Sequence, residues 1–244
     1  MAQFFFRVYE GNKIMAFFEE IWELLSSAKY MGMLFKGLGT TVLVSLFAAI
    51  LGLVLGTLVA LVAIAPDSPY MKLPKIISKV YVTVIRGTPM ALQLFIMAYA
   101  ILEIRGFPLE ITAILAFGIN SGAYVSESIR GGILSVDIGQ TEAGRALGLP
   151  YSTTLIKIVI PQAIKNVIPA IGNELIALIK ETSIVSMIGM YDLTLAAKVI
   201  GAGNNMASYI VPMSVAACFY LAVVYALTFV IKAVEKRLRA GDRR

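Results

Sequence analysis

Ionisable and polar side chains are scarce in this chain, so the few that interrupt its apolar runs mark where chemistry can occur. Asn173, Glu174, Lys180, Glu181, Thr182 and Ser183 stand inside an otherwise apolar run from about Pro169 to Gly189. Each charge there costs about 3 kcal/mol or more in lipid unless it is paired or faces a cavity, so some of the three must line protein or water. Lys180 and Glu181 are adjacent and diverge by about 100° around a helix, which gives them different partners and turns one toward a passage. Asn120-Ser121-Gly122-Ala123-Tyr124 lies midway along a second apolar run, Leu109 to Ile129. Its small residues suit close helix packing, and its donors and acceptors suit a polar solute equally well. Glu127 and Arg130, three apart, are helix neighbours placed to pair with each other or with the loop that follows. In a third run, Ile76 to Leu102, Arg86-Gly87-Thr88-Pro89 predicts a break facing the bundle interior. Pro89 removes a backbone hydrogen bond, and Arg86 pairs with freed carbonyls or faces a carboxylate.

What is missing narrows the chemistry further. There is no histidine, and the one cysteine, Cys218, sits in an apolar stretch. Disulfide scaffolding within the chain, Cys/His zinc sites and histidine acid–base catalysis are therefore excluded, while a carboxylate-only metal site is unsignalled. Neither a Gly-x-Ser-x-Gly elbow nor a Gly-x-x-x-x-Gly-Lys-[Ser/Thr] phosphate cradle is present, and the Gly201/Gly203 pair lacks the third glycine of a dinucleotide fingerprint.

The elements that carry these residues are membrane spans. Of 244 residues, 59% are hydrophobic and 15% charged, beyond what one soluble core absorbs. The pattern predicts an all-α integral membrane protein of five transmembrane helices, at about 38–65, 76–102, 109–129, 169–189 and 208–231. Gly52 and Gly56 in the first have the small-x-x-x-small spacing of close helix packing. Ahead of the spans, Phe4-Phe5-Phe6 is too short for a signal peptide. Ile14, Phe17, Phe18, Ile21, Trp22 and Leu25 opposite Glu19, Glu20 and Glu23 predict an amphipathic interfacial helix. Three segments follow: 1–36 at the interface, 37–232 spanning, and 233–244 a basic tail. Net charge is +6, but Lys232, Lys236, Arg237, Arg239, Arg243 and Arg244 cluster behind the last apolar run, as orientation in a membrane requires and nucleic-acid binding does not. With Lys72, Lys75 and Lys79 on the same side, the N-terminus lies outside and the C-terminus inside, and 191–206 is an external segment.

Between the third and fourth spans, at about 131–165, lies a polar interruption. Glu142, Arg145, Lys157 and Lys165 cannot rest in lipid unpartnered, while the apolar residues around Gly148-Leu149-Pro150 keep helical spacing. A short helix, a Gly/Pro corner and a second helix closed by Pro161 form a compact surface loop, which either joins two spans or offers a shaped docking surface. Glu142-Ala143-Gly144-Arg145-x-Leu147-Gly148, followed by nine residues from Leu149 and then Ile158-x-Ile160-Pro161, resemble the EAA coupling loop of permease subunits of ATP-binding-cassette importers. Gly144 stands where that pattern has its second alanine, and Ile160 where it has leucine. With the spans, Arg86 to Pro89, Asn120-Ser121 and Lys180 to Ser183, the chain from about Leu38 onward resembles the polar amino-acid uptake subgroup.

The resemblance implies a permease that binds no cofactor itself and takes its energy from two ATPase subunits holding ATP and Mg. It also implies a second permease, identical or related, an external solute-binding protein, an amino-acid substrate and surrounding lipid. A zwitterion needs a cation or helix N-terminus for its carboxylate and acceptors for its ammonium, which Gln93, Asn120, Ser121, Lys180 and Glu181 can supply. An ion-gradient-driven transporter using Glu174 or Glu181 is the alternative from a different class, and an intramembrane enzyme working through serine, lysine or carboxylates is a third.

Overall fold

The computed structural model describes residues 15–203 and 209–239. Phe4 to Phe6, Ile14, Asn204 to Ser208, Arg243 and Arg244 lie outside the described residues. The chain divides into two compact units, Met1–Leu43 with Thr182–Val223 and Val44–Glu181 with Val224–Arg244. Helix α1 covers residues 15–26. It is followed by α2 (Ala28–Ile64), α3 (Lys72–Arg86), α4 (Met90–Ile96, prolonged by a π turn to Ile101), α5 (Leu109–Leu134) and α6 (Ile138–Ala146). Next come α7 (Tyr151–Thr154), a π turn over Leu155–Val159, α8 (Ile160–Glu181, with a 3₁₀ stretch to Ile188), α9 (Leu193–Gly201) and α10 (Ile210–Arg239).

Among the described residues, four stretches are long and apolar enough to cross a membrane unbroken: Ala28–Ile64, Leu109–Leu134, Tyr151–Ile188 and Ile210–Leu238. The expected span at 76–102 is present as two rods, Pro69–Arg86 and Met90–Ile101, bent through 108° at the expected break, and counted as one broken span it makes the fifth. At 1.5 Å per residue neither exceeds about 27 Å, short of the roughly 30 Å of hydrocarbon. The break is local chemistry. Gly87 closes α3 through its N–H to the Thr83 carbonyl at 3.0 Å, and Pro89 is extended (φ −63°, ψ 136°) before α4 begins. The fourth span also differs from expectation, because its helix starts at Tyr151 rather than near Pro169. The π turn over Leu155–Val159 carries the chain past Pro161 without ending the helix, and Pro169 lies inside α8.

In the first unit, Leu24 of α1 is fully buried with Leu34, Leu193, Ile200 and Val211, and Phe17 and Ile21 pack against them. Trp22 and Phe18 on the other face are 74% and 63% exposed. The segment read as an external loop contains α9, which packs into that core. Asp192 caps it, accepting the N–H groups of Thr194 at 3.0 Å and Leu195 at 2.8 Å. In the second unit α5 is the central helix, and its buried residues are mostly small. A β-carbon on Gly52 of α2 would come within 2.7 Å of Ser121 Oγ, and one on Gly56 within 2.7 Å of Val125 Cβ. The glycine pair thus brings α2 against α5, the arrangement expected where lipid offers no hydrophobic drive and small residues let backbones approach.

Candidate functional site

The polar interruption between α5 and α8 folds as a braced corner. Asp137 starts α6 by accepting the Gly139 N–H at 2.8 Å. The helix ends in a Schellman motif: Leu149 N–H bonds the Gly144 carbonyl at 3.0 Å and Gly148 N–H the Arg145 carbonyl at 2.9 Å. Gly148 takes φ +76°, a left-handed value that costs other L-residues about 1–2 kcal/mol. Gly144 is buried for a second reason, because a β-carbon there would stand 2.6 Å from Oγ1 and Cγ2 of Thr154. Side chains lace the corner to α8: Gln162 donates to Gln140 Oε1 at 3.3 Å, and Asn166 to Ser135 Oγ at 2.9 Å.

Of the loop residues singled out by the sequence, Glu142, Ala143, Arg145, Leu147, Gly148 and Pro161 are exposed, Leu149 and Ile158 half-buried, and Gly144 alone is buried. Around them the surface is unusually apolar. Leu147 is 78%, Ile138 73% and Leu134 67% exposed, beside a hollow of about 270 Å³ lined by Ile133, Val136, Tyr151 and Thr154 among others. Together these side chains form an exposed apolar patch on the corner.

The polar residues of the spans fall into two groups. In one, Gln93 secures the break between α3 and α4. Its Nε2 donates to the Ile85 carbonyl and to Thr88 Oγ1, both at 2.7 Å, and its Oε1 accepts from Asn120 Nδ2 at 2.9 Å. The freed carbonyls are therefore met by Gln93, whereas Arg86 turns to a carboxylate. Arg86 Nη1 lies 3.7 Å from Glu127 Oε2, and its guanidinium carbon is 5.1 Å from the centre of the Tyr124 ring. Glu127 is held by Arg130 through two bonds, Nε to Oε1 at 2.9 Å and Nη2 to Oε2 at 2.8 Å, a bidentate geometry.

In the other group, Ser121 is buried with no hydrogen-bond partner for its hydroxyl among the described residues, and Glu174 of α8 is half-buried. Glu181 is half-buried and Lys180 exposed, the divergence that adjacent helical positions impose. Asn120 and Ser121 likewise part, one toward Gln93 of α4 and one toward Gly52 of α2. Sequence reasoning missed Thr154 and Tyr124 as partners, since each is defined by a residue ten or more positions away.

Comparison with known proteins is consistent along the length of the chain. Residues 52–240 match a family described as Binding-protein-dependent transport system inner membrane component. The arginine transport system permease protein ArtQ of Bacillus subtilis (strain 168) is 41% identical over 209 residues, covering 85% of this chain and 93% of that protein. The L-cystine transport system permease protein TcyB of the same organism is 35% identical over 221 residues, 89% of this chain and 91% of that protein. A solved structure described as an amino acid ABC transporter with histidines has a TM-score of 0.80 at 35% identity, covering 88% of this chain and 98% of that one.

Proposed function

Because this chain belongs to the family of binding-protein-dependent transport system inner membrane components, we propose that it is the permease of an ATP-driven importer moving polar or charged amino acids across the cytoplasmic membrane. The observation that carries this is the match over residues 52–240, which takes in the corner and the polar groups of the spans. The substrate class is supported by relatives named for arginine and cystine, solutes that differ in side chain and share an α-ammonium and an α-carboxylate. Permeases of this kind work with a separate ATPase and a second permease, and this membership sets aside the ion-gradient-driven alternative.

In this reading the corner around Glu142 to Leu149 docks into a cleft of one of the two cytoplasmic ATPase subunits that hold ATP and Mg, with Leu147 and Ile138 as apolar anchors and Glu142 and Arg145 fixing register. The loop at about 131–165 then lies inside, as do the C-terminus and the basic tail from 233, with the N-terminus and the segment 1–36 outside. Residues 37–232 form the permease proper, beside an identical or closely related copy and beneath an external solute-binding protein. Coupling follows from the helix rods. From Tyr151 to Glu181 the chain is helical without interruption, about 46 Å at 1.5 Å per residue. A push on the corner therefore moves Glu174 and Glu181 relative to α5, a rocking motion that changes the side to which a central passage opens. Within that passage Glu174 and Glu181 receive the substrate ammonium, Lys180 its carboxylate, and Gln93, Asn120 and Ser121 supply neutral contacts. Arg86, Pro89, Glu127 and Arg130 hold the break between α3 and α4 and act as the gate.

The test is co-purification of the full-length chain with its ATPase in detergent, comparing wild type with Glu142→Lys and Gly148→Asp. A stoichiometric complex lost in both variants, with the permease still inserted, is the expected result. Recovery of the complex from both variants would remove the docking role. Glu181→Gln is expected to keep the complex and to change uptake kinetics, and unaltered kinetics with every amino acid tested would place the solute path elsewhere.

A further inference from the structure

Helix α3 carries a row of positive charge that its surroundings answer only in part. Lys75 and Lys79 are four residues apart and Arg86 is seven further on, so all three share one helical face. With Arg130 of α5 they line a cavity of about 450 Å³, within the usual range for small-ligand pockets. Like charges at this spacing repel one another. Glu127 is bound bidentately by Arg130 and lies 3.7 Å from Arg86. That is beyond hydrogen-bond length, so the Arg86 fork keeps donors for another partner. Asp67 holds Lys75 at 2.6 Å, but its side chain is 97% exposed, and water and salt weaken a pair of that kind. Lys79 has no ion-pair or hydrogen-bond partner among the described residues. Four cations against two carboxylates leave two positive charges unbalanced.

The other walls of the cleft leave recognition to those cations. Val59 and Ala63 of α2 and Val82 of α3 are apolar. The Ser78 and Ser126 hydroxyls donate to the carbonyls of Val59 at 3.4 Å and Ala123 at 2.8 Å. Low-dielectric walls focus the field of the cations into the hollow. Because the cations come from two helices, an anion that serves them needs several oxygens pointing in different directions, which a tetrahedral phosphate offers and a planar carboxylate does not. The volume exceeds what a bare phosphate fills, and the apolar wall suits an organic remainder. Leu51 meets Gly118 and Gly56 meets Val125, so α2 and α5 run parallel and end on the same side of the membrane. Val59 is about 8 Å from the end of α2, and Arg130 about 6 Å from the end of α5, at 1.5 Å per residue. The cleft therefore lies near the side read above as cytoplasmic, within reach of lipid headgroups and of soluble phosphate compounds.

We propose that the cleft binds one phosphate ester, its phosphate held by Lys75, Lys79 and Arg86 of α3 and by Arg130 of α5. The bound phosphate neutralises the row on α3 and ties that helix to α5. An anionic lipid headgroup and a soluble phosphomonoester share this chemistry, and the experiment separates them. The proposal does not depend on which solute is carried or on recovery of the ATPase.

It is tested on the delipidated full-length chain in detergent with two probes that share a glycerol phosphate. Phosphatidylglycerol is titrated by native mass spectrometry against phosphatidylcholine of the same acyl composition, and glycerol 3-phosphate by isothermal titration calorimetry. Wild type is expected to bind one equivalent of at least one probe. Phosphatidylglycerol bound in preference to phosphatidylcholine identifies a lipid headgroup, and glycerol 3-phosphate a soluble ester. Lys79→Gln weakens that binding about fivefold, the share of one cation near an anionic headgroup, while Lys79→Arg keeps it and Lys236→Gln on exposed α10 leaves it unchanged. Saturation by neither probe, or binding unaltered in Lys79→Gln, would overturn the proposal. Equal weakening by Lys236→Gln would show general attraction and overturn the site. Displacement of the probe by arginine, with Lys79→Gln raising the KM for uptake, would place the cleft in the solute path and overturn it as well.

Discussion

Alanine at position 144 is expected to destabilise the corner between α6 and α7 unless Thr154 is shortened with it. The new β-carbon would stand 2.6 Å from both Oγ1 and Cγ2 of Thr154 and 3.2 Å from its Cβ, against a comfortable separation of about 3.5–4 Å. Rotating Thr154 gives little relief, because a β-branched side chain turned about χ1 brings one heavy branch where another was. Overpacking of this kind costs about 1–3 kcal/mol. Against it stands the helical preference for alanine over glycine, about 0.5–1 kcal/mol, so Gly144→Ala should lose about 1 kcal/mol net. Thr154→Ala removes both clashing branches together with a hydroxyl that is buried and lacks a hydrogen bond, which by itself costs stability. The double variant should therefore recover the loss and keep the alanine gain, giving a favourable coupling of about 1–3 kcal/mol between the two sites. The assay is thermal unfolding in detergent of the four proteins of the cycle, with about 2–4 °C expected per kcal/mol for a chain of this size. A Gly144→Ala protein at least as stable as wild type, with no dependence on residue 154, would refute the argument. The same contact explains why glycine stands here in place of the alanine of the coupling-loop pattern: Thr154 fills the space.

Three further outcomes follow from the geometry. Burial raises the Asp192 carboxyl above its ordinary range, so the folded state holds a proton that the unfolded chain releases near pH 4. Stability in the first unit should fall as pH rises from about 4 through the raised value. Asp192→Asn, which keeps the cap, should flatten that slope in melting curves, while Asp192→Ala should cost about 1–2 kcal/mol at every pH. Gly52→Val should push α2 away from α5 at a cost of about 1–3 kcal/mol, read as a lower melting temperature, and Ser121→Gly in the same chain should recover part of it. Glu127→Gln removes the shared carboxylate of Arg86 and Arg130. For partly exposed groups a loss of about 1–2 kcal/mol is expected, with slower uptake if the break between α3 and α4 is the gate, whereas unchanged stability and uptake would make the cluster incidental.

Much of this protein is legible along the chain because the bilayer tests a one-dimensional property. An apolar run of some 20 residues is a span whatever lies around it, and the runs before Ile64, after Leu109 and after Ile210 are helices where they were expected. The corner is legible for a similar reason, since Gly148 after a short helical pattern is the local signal for a left-handed helix end. Long-range partners are not encoded locally, and tertiary structure alone decided them. Arg86-Gly87-Thr88-Pro89 announces a break, but the angle of 108° and the choice of Gln93 rather than Arg86 to meet the freed carbonyls depend on how α3 and α4 lie on α5. Pro161 reads as a helix end, yet a π turn, closed by the Ile160 N–H on the Leu155 carbonyl, leads straight into α8, so one rod runs from the corner to Glu181. The pairing of Gly144 with Thr154, of Gly52 with Ser121 and of Arg86 with Glu127 follows from three-dimensional neighbourhood. Residue type shows that such groups need partners, and packing decides which ones they find.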